Sequence, residues 1–560
     1  TPEISAMSTV SCSGIPFVIS PTNSINGIVP VNTNYSWNVP SVSTASLTGG
    51  NSGTSVGIIT GTLTNNTNVL QSATYIINPT TVDNCPGLSF TAVIYVDPKP
   101  YITEMSTTVC SGVQFRVTPT NGTNGIVPDG TTYTWTVPAV STASLTGGQS
   151  MNIQQTSIFG TLYNATNTTR TAVYTVTPNT TNCNAGNSFT VTVYVNPTPA
   201  ITAMSTVVCS GVTFEVSPVN VVNGIVPAGT SYSWSAPGVS NASLTGGVAG
   251  SGSYVSGTLL NGTNIAQTAT YTVTPVAPLG SCGGASFTVT VTVNPGAYIS
   301  AMTTAVCSGV QFSVTPQNGI NGVVPAGTTY NWSIPSYSGS LTGGQSNNNQ
   351  PSIFGTLTNS SNVTQTAVYT VVPNVVSCST YSTFTLTVFV TPTPKISAMS
   401  TVTCSGVQFE VSPVNGGTEI VPANTTYAWD IPAVSTASLT GGQSSTGQTS
   451  VYGTLTNNTN TARTAVYTVT PTATLGACTG ATFTVLVTVN PKAVINTMTT
   501  VICSGDTFQV TPTNLTNGIV PAGTTYTWQV PSITTASLTG GESRNTAQNS
   551  IYGSLYNGTN

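Results

Sequence analysis

The sequence predicts an all-β chain, a tandem array of seven-stranded, two-sheet β-sandwiches. Three observations carry that prediction. The stretch CSGVQFRVTPTNGTNGIVPDGTTYTWTVP, Cys110 to Pro138, recurs six times, with its cysteine at Cys12, Cys110, Cys209, Cys307, Cys404 and Cys503. Its tryptophan follows 25 residues later every time, at Trp37, Trp135, Trp234, Trp332, Trp429 and Trp528, and the repeat step is 97 to 99 residues. A period this long marks an array of small domains rather than a solenoid. Between the glycines, asparagines and prolines run short segments in which apolar and polar residues alternate, and none has a helical period.

The period divides the 560 residues into units at 1–98, 99–196, 197–295, 296–393 and 394–491, with an incomplete sixth at 492–560. Each complete unit is expected to hold the same seven strands. In the unit 99–196, YITEMSTTV is the first strand and ends in the turn Cys110-Ser111-Gly112. VQFRVTP is the second, with Val113, Phe115 and Val117 on its inner face. Asn121 to Gly130 is a loop rich in turn residues. TTYTWTVP is the third strand, with Tyr133, Trp135 and Val137 inward, and ASLTGG is a short fourth. TSIFGTLYN is the fifth, with Gly160 read as a bulge or kink. TAVYTVTP is the sixth. SFTVTVYVNP is the seventh, with Phe189, Val191, Val193 and Val195 inward. The tryptophans, flanked by alternating Tyr and other strand residues, read as core anchors.

Composition excludes several functions. Charged residues are 3% of the chain, against about 25% in ordinary globular proteins, and the net charge is -4 from 11 acids and 7 bases. That leaves no basic footprint for nucleic acid and no polybasic patch for a membrane surface. No apolar run approaches the ~20 residues of a spanning helix, so no membrane insertion is expected. Both ends fall within the repeat pattern and read as cuts in a longer polypeptide.

There is no histidine, which removes the commonest general base and metal ligand. The acids Glu104, Asp129, Glu215, Glu419 and Asp506 fall at different points of the repeat, so no catalytic constellation forms and the chain reads as a non-enzyme. Calcium needs several carboxylates, whereas a junction supplies at most one, such as Asp97. No cofactor or metal is expected. Sequons at Asn121, Asn164, Asn261, Asn359 and Asn457 are read as products of an Asn- and Thr-rich composition, mostly unmodified. Tyr163 and Tyr194 are exposed aromatics that vary between repeats.

Proline-rich junctions (DPKP at 97–100, NPTP at 196–199, NPGA at 294–297, TPTP at 391–394, NPKA at 490–493) favour an extended path, and a semi-rigid rod is expected. The pattern CSG-x-x-F-x-V-[TS]-P, then Y-x-W, then Y-t-V-t-P, a cysteine, and F-t-V-t-V-x-V-N-P resembles the PKD-like and immunoglobulin-like repeats of long Bacteroidetes surface proteins. Among these are gliding-motility adhesins exported by the type IX system. The resemblance covers all 560 residues and implies immunoglobulin/PKD-like sandwiches in a secreted or cell-surface filament. The WDFGD signature of polycystic-kidney-type domains is absent, since Trp135 is followed by Thr136 and Val137.

The cysteines couple once per complete unit as Cys12/Cys85, Cys110/Cys183, Cys209/Cys282, Cys307/Cys378 and Cys404/Cys478, with Cys503 left over. Regular pairs without histidine argue for disulfides in an oxidising compartment rather than zinc. Two pairings compete. The habit of tandem sandwiches places the bridge inside each unit, Cys110 to Cys183, and that pairing is the expectation. Up-and-down strand counting instead puts Cys110 and Cys183 at opposite poles, and then Cys110 meets Cys282 of the next unit.

The leading function is therefore a structural one: a repetitive extracellular stalk or filament for adhesion. Self-association into filaments and binding to surfaces or glycans are its candidate partner classes. The alternatives are a glycan-binding array presenting the Asn121–Gly130 loop, and a stalk for an enzyme encoded outside these residues.

Overall fold

The computed structural model describes residues 1–183, 185–378 and 382–559. Unit 99–196 serves as the type, and its strands are numbered within it. They are β1 (Tyr101–Ile102), β2 (Met105–Cys110), β3 (Gln114–Val117), β4 (Gly125–Ile126), β5 (Thr132–Trp135), β6 (Ala139–Val140), β7 (Leu145–Gly147), β8 (Met151–Gln155), β9 (Ile158–Asn164), β10 (Arg170–Asn179) and β11 (Phe189–Asn196). One sheet has the order β2-β11-β10-β5-β8, with β6 pairing β10. The facing sheet is β3-β9-β7, and β1 and β4 form a separate ribbon. Every pairing is antiparallel except one: β2 runs parallel to β11, in register from Met105↔Val191 to Cys110↔Asn196.

The alternation in sequence becomes the core directly. Phe189, Val191, Val193 and Val195 of β11 are buried, and so are Ala172, Tyr174 and Val176 of β10. From the opposite sheet Phe115, Val117, Ile158 and Leu162 complete one cluster with Tyr133 and Trp135. Equivalent clusters lie in the first, third, fourth and fifth repeats. A sandwich of this kind buries one face of each sheet against the other.

The structure departs from the expected seven strands in definite ways. It splits the expected first strand into β1 and β2, which belong to different sheets, and adds β4, β6 and β8. Segment β8, MNIQQ, has no alternation and is a strand only because its backbone pairs with β5, with a register shift between Tyr133 and Trp135. Val113 and Val137 are 54% and 65% exposed, since β3 begins after the first and β5 ends before the second. Gly160 is no bulge. It sits in regular register opposite Phe115, and a Cβ there would come within 3.1 Å of both the Phe115 ring and the Tyr174 hydroxyl. The glycine makes room for two aromatic rings. No α-helix occurs among the described residues; two short 3-10 turns lie at Leu279–Ser281 and Leu475–Ala477.

The chain divides into two compact bodies, one holding residues 1–261 and 266–294, the other residues 262–265 and 295–560. In the second body the sixth repeat has counterparts of β1, β3, β4, β5, β7, β8 and β9. No counterpart of β10 or β11 occurs among its described residues, and residues 498–503, equivalent to β2, are not a strand. The reason is in the ladder: β2 takes its pairing from β11 alone.

Candidate functional site: the disulfide-linked junction between repeats

The turn after β2 is built from its own sequence. Gly112 has φ +81°, the left-handed region open to glycine. Its amide donates to the Leu162 carbonyl at 2.8 Å, while the Ser111 amide donates to the Asn196 carbonyl at 2.9 Å. The Ser111 hydroxyl oxygen accepts from the Asn164 amide at 2.9 Å, and the Thr198 hydroxyl donates to the Ser111 carbonyl at 3.2 Å. Cys110 is thereby held at the end of β11, where the chain passes into the next repeat.

The partner is supplied by that next repeat. The 3-10 turn Leu279–Ser281 presents Cys282, and Gly280 within it has φ +73°. A Cβ on Gly280 would lie 2.7 Å from Asn196 Nδ2 of the preceding repeat, so the turn docks only without a side chain there. Cys110 bonds to Cys282, Cys12 to Cys183 and Cys307 to Cys478, each with Cα atoms 5.6 Å apart. Cys209 and Cys378 are also disulfide-bonded. Cys85, Cys404 and Cys503 are free and exposed.

These bonds overturn the expected pairing inside each unit, including Cys110 to Cys183, Cys12 to Cys85 and Cys404 to Cys478. They also leave Cys85 and Cys404 as thiols where bridges were expected. The cause is the direction of two strands. Because β2 is parallel to β11, the cysteine ending β2 stands at the pole opposite the β10–β11 loop of its own repeat. Strand counting identified this geometry; the general habit of tandem sandwiches outweighed it and was misleading.

At the first junction Asn182 Nδ2 donates to Asp97 Oδ1 at 3.5 Å. A cleft of about 250 Å³ lies there between Asp97 and Asp129, with Asn68, Leu70, Thr180 and Asn182 on its walls. Among the described residues no group of three or more Cys, Asp or Glu side chains is arranged to hold a metal. Glu419 accepts from the Ser397 amide at 2.7 Å, and its bonds with Ser397 hold its carboxyl below the usual value. Glu104, Glu215 and Asp506 lie in different repeats from one another.

The tryptophans at 37, 135, 234, 332 and 429 are buried. The Trp135 indole donates to the Gln149 carbonyl at 3.1 Å and packs edge-on to Phe159 at 5.6 Å. Trp528 is half-buried, in the repeat that lacks described counterparts of β10 and β11. Tyr163 and Tyr194 are exposed. In the Asn121–Gly130 loop, Asn121 Oδ1 accepts from the Val127 amide and Asn124 Oδ1 from the Thr120 amide, so the loop spends its amides on itself.

A residue set that sequence reasoning passed over is the asparagine ending β9. Asn65, Asn164, Asn261, Asn359 and Asn457 are all buried. Asn164 Nδ2 donates to the carbonyls of Thr168 and Val195, and Asn164 Oδ1 accepts from the Thr166 amide and hydroxyl. The signal was available: four of the expected sequons occupy one register position, which chance composition does not produce.

The PKD-like domain family matches residues 4–100, 106–199, 201–297, 304–394 and 401–493. No curated protein sequence matches the chain. Similar solved structures include the human desmocollin-1 ectodomain, at 14% identity and a TM-score of 0.22 over 82% of this chain and 92% of that one. The four N-terminal cadherin domains of Drosophila N-cadherin align at 8% identity and a TM-score of 0.19, over 70% of this chain and all of that one. The insect immune protein hemolin aligns at 14% identity and a TM-score of 0.18, over 70% and 98%.

Proposed function

The chain belongs to the PKD-like domain family, and from that premise we propose that it is the repeat region of an extracellular, non-enzymatic stalk or filament that serves adhesion. The observation that carries this reading is the junction: each of the three described bonds ties one repeat to the next. Disulfides of this density persist in oxidising compartments outside the cytosol. The scattered acids and the absence of histidine from the sequence supply no acid–base pair for catalysis. Folding units with boundaries near 99, 197, 296, 394 and 492 belong to the same proposal. A finer reading, a gliding-adhesin-like surface protein of the Bacteroidetes exported by the type IX route, rests on the repeat motifs alone.

Antibodies raised against residues 99–196 test the location. They are expected to label intact, unpermeabilised source cells. Labelling that appears only after permeabilisation overturns the proposal.

A further inference from the structure

The disulfides do more than lock neighbouring repeats, and their connectivity can be followed as a load path. Take the body that holds repeats 1–3. From Cys12 a bond leads directly to Cys183, across a sequence separation of 171. The backbone then runs through β11 and the equivalent of β2 in the third repeat, Met204–Cys209, to a cysteine that is itself bonded. A second route runs through the last strand of repeat 1, Phe90–Asp97, and then β2 to Cys110. It crosses to Cys282, over a separation of 172, and continues through Phe287–Asn294.

Across the second repeat each route uses only the last strand of one repeat and the long second strand of the following repeat. These segments are already extended in the fold. Upstream of Phe90 the second route continues through the backbone of the first repeat, whose Cys85 is free. Strands β3 to β10, with the tryptophan core, lie between Cys110 and Cys183 and connect one route to the other sideways. In the second repeat β2 belongs to one route and β11 to the other. The two lie side by side in the parallel ladder that ends at Cys110↔Asn196.

We propose that the inter-repeat disulfides make the second repeat a double covalent tether that bears tension with little extension, and that its β3–β10 portion is shielded from the load. An open chain of 171 residues reaches roughly 560–620 Å when pulled straight. Here the bridge holds its two ends at 5.6 Å between Cα atoms. Residues 183 to 209, the backbone segment of one route, reach at most about 90 Å. Even complete unfolding of the sandwich between the bridges therefore adds little length. This function concerns how the chain carries force. It stands whether or not the chain is found at the cell surface.

Single-molecule pulling of the full chain from its two ends tests the proposal. Under reducing conditions each repeat is expected to open in a step of about 98 residues, roughly 320–350 Å. Under oxidising conditions at least two of those steps are expected to vanish. The variant Cys12→Ser/Cys110→Ser, pulled under oxidising conditions, is expected to recover two. Equal numbers of steps with and without reductant overturn the proposal, and that comparison needs no variant to fold. A folded variant that recovers no step overturns it as well.

Discussion

The side-chain amide of Asn164 donates to the Val195 carbonyl at 2.9 Å, which ties the end of β9 to the last strand of the same repeat across 31 residues of sequence. The same bond recurs from Asn65 to Val96, Asn359 to Val390 and Asn457 to Val489. Replacing Asn164 with Ala removes two donors and two accepted bonds from a buried site. The expected cost is about 1–3 kcal/mol in that repeat, read as a lower unfolding midpoint in denaturant.

The same burial sets glycosylation. In a host that modifies sequons, Asn164, Asn261, Asn359 and Asn457 are expected to stay unmodified once folded, because their Nδ2 atoms are enclosed. Asn121 is exposed and remains available. Peptide mapping by mass spectrometry decides; a glycan on Asn164 of the folded chain contradicts the structure.

Tyr174 carries a hydroxyl with no hydrogen-bond partner among the described residues, and so do Tyr75, Tyr271, Tyr369 and Tyr467 at the same position of β10. Tyr174→Phe removes a desolvated polar group and is expected to leave stability unchanged or raise it by about 1 kcal/mol. Thermal unfolding of the variant checks this, and a clear loss of stability would show that the hydroxyl is bonded in solution.

Alkali should act through these rings. Burial pushes Tyr133, Tyr174, Tyr330, Tyr427 and Tyr467 up to about 12, whereas an unfolded tyrosine ionises near 10. The folded state therefore holds its protons more tightly. The stability this contributes is fully present below pH 10 and is lost as pH rises from about 10 to 12. Absorbance at the tyrosinate band should rise in two phases, the later one coinciding with loss of β-sheet dichroism. A single phase near pH 10 with the fold intact would refute it.

Thiol chemistry reads the junction. Alkylation of the native, unreduced chain should mark Cys85, Cys404 and Cys503. A non-reduced digest should yield peptides joining Cys110 to Cys282 and Cys12 to Cys183. A peptide joining Cys110 to Cys183 would overturn the connectivity.

Gly280→Ala tests the docking of the bridging turn. The added Cβ at φ +73° would press on Asn196. The left-handed conformation alone costs an alanine about 1–2 kcal/mol. Slower formation of the Cys110–Cys282 bond during oxidative refolding is the expected outcome; an unchanged rate would count against a docked turn.

The sequence by itself determined the all-β class, the repeat register and the inward faces of the main strands. Those properties are local: alternation at Phe189, Val191, Val193 and Val195 defines a buried face whatever the strand pairs with. Tryptophan burial was legible for the same reason, as at Trp135. The edge strand β8 was not, because MNIQQ carries no pattern and takes its conformation from the backbone of β5. Nor was the role of Asn164, whose partner lies 31 residues away. The choice of disulfide partner was decided only by the tertiary structure. Cys110 and Cys183 are the nearer pair along the chain, but the parallel pairing of β2 with β11 sets them at opposite ends of the sandwich. A disulfide forms only between Cα atoms within about 7 Å, and at that distance Cys110 finds Cys282.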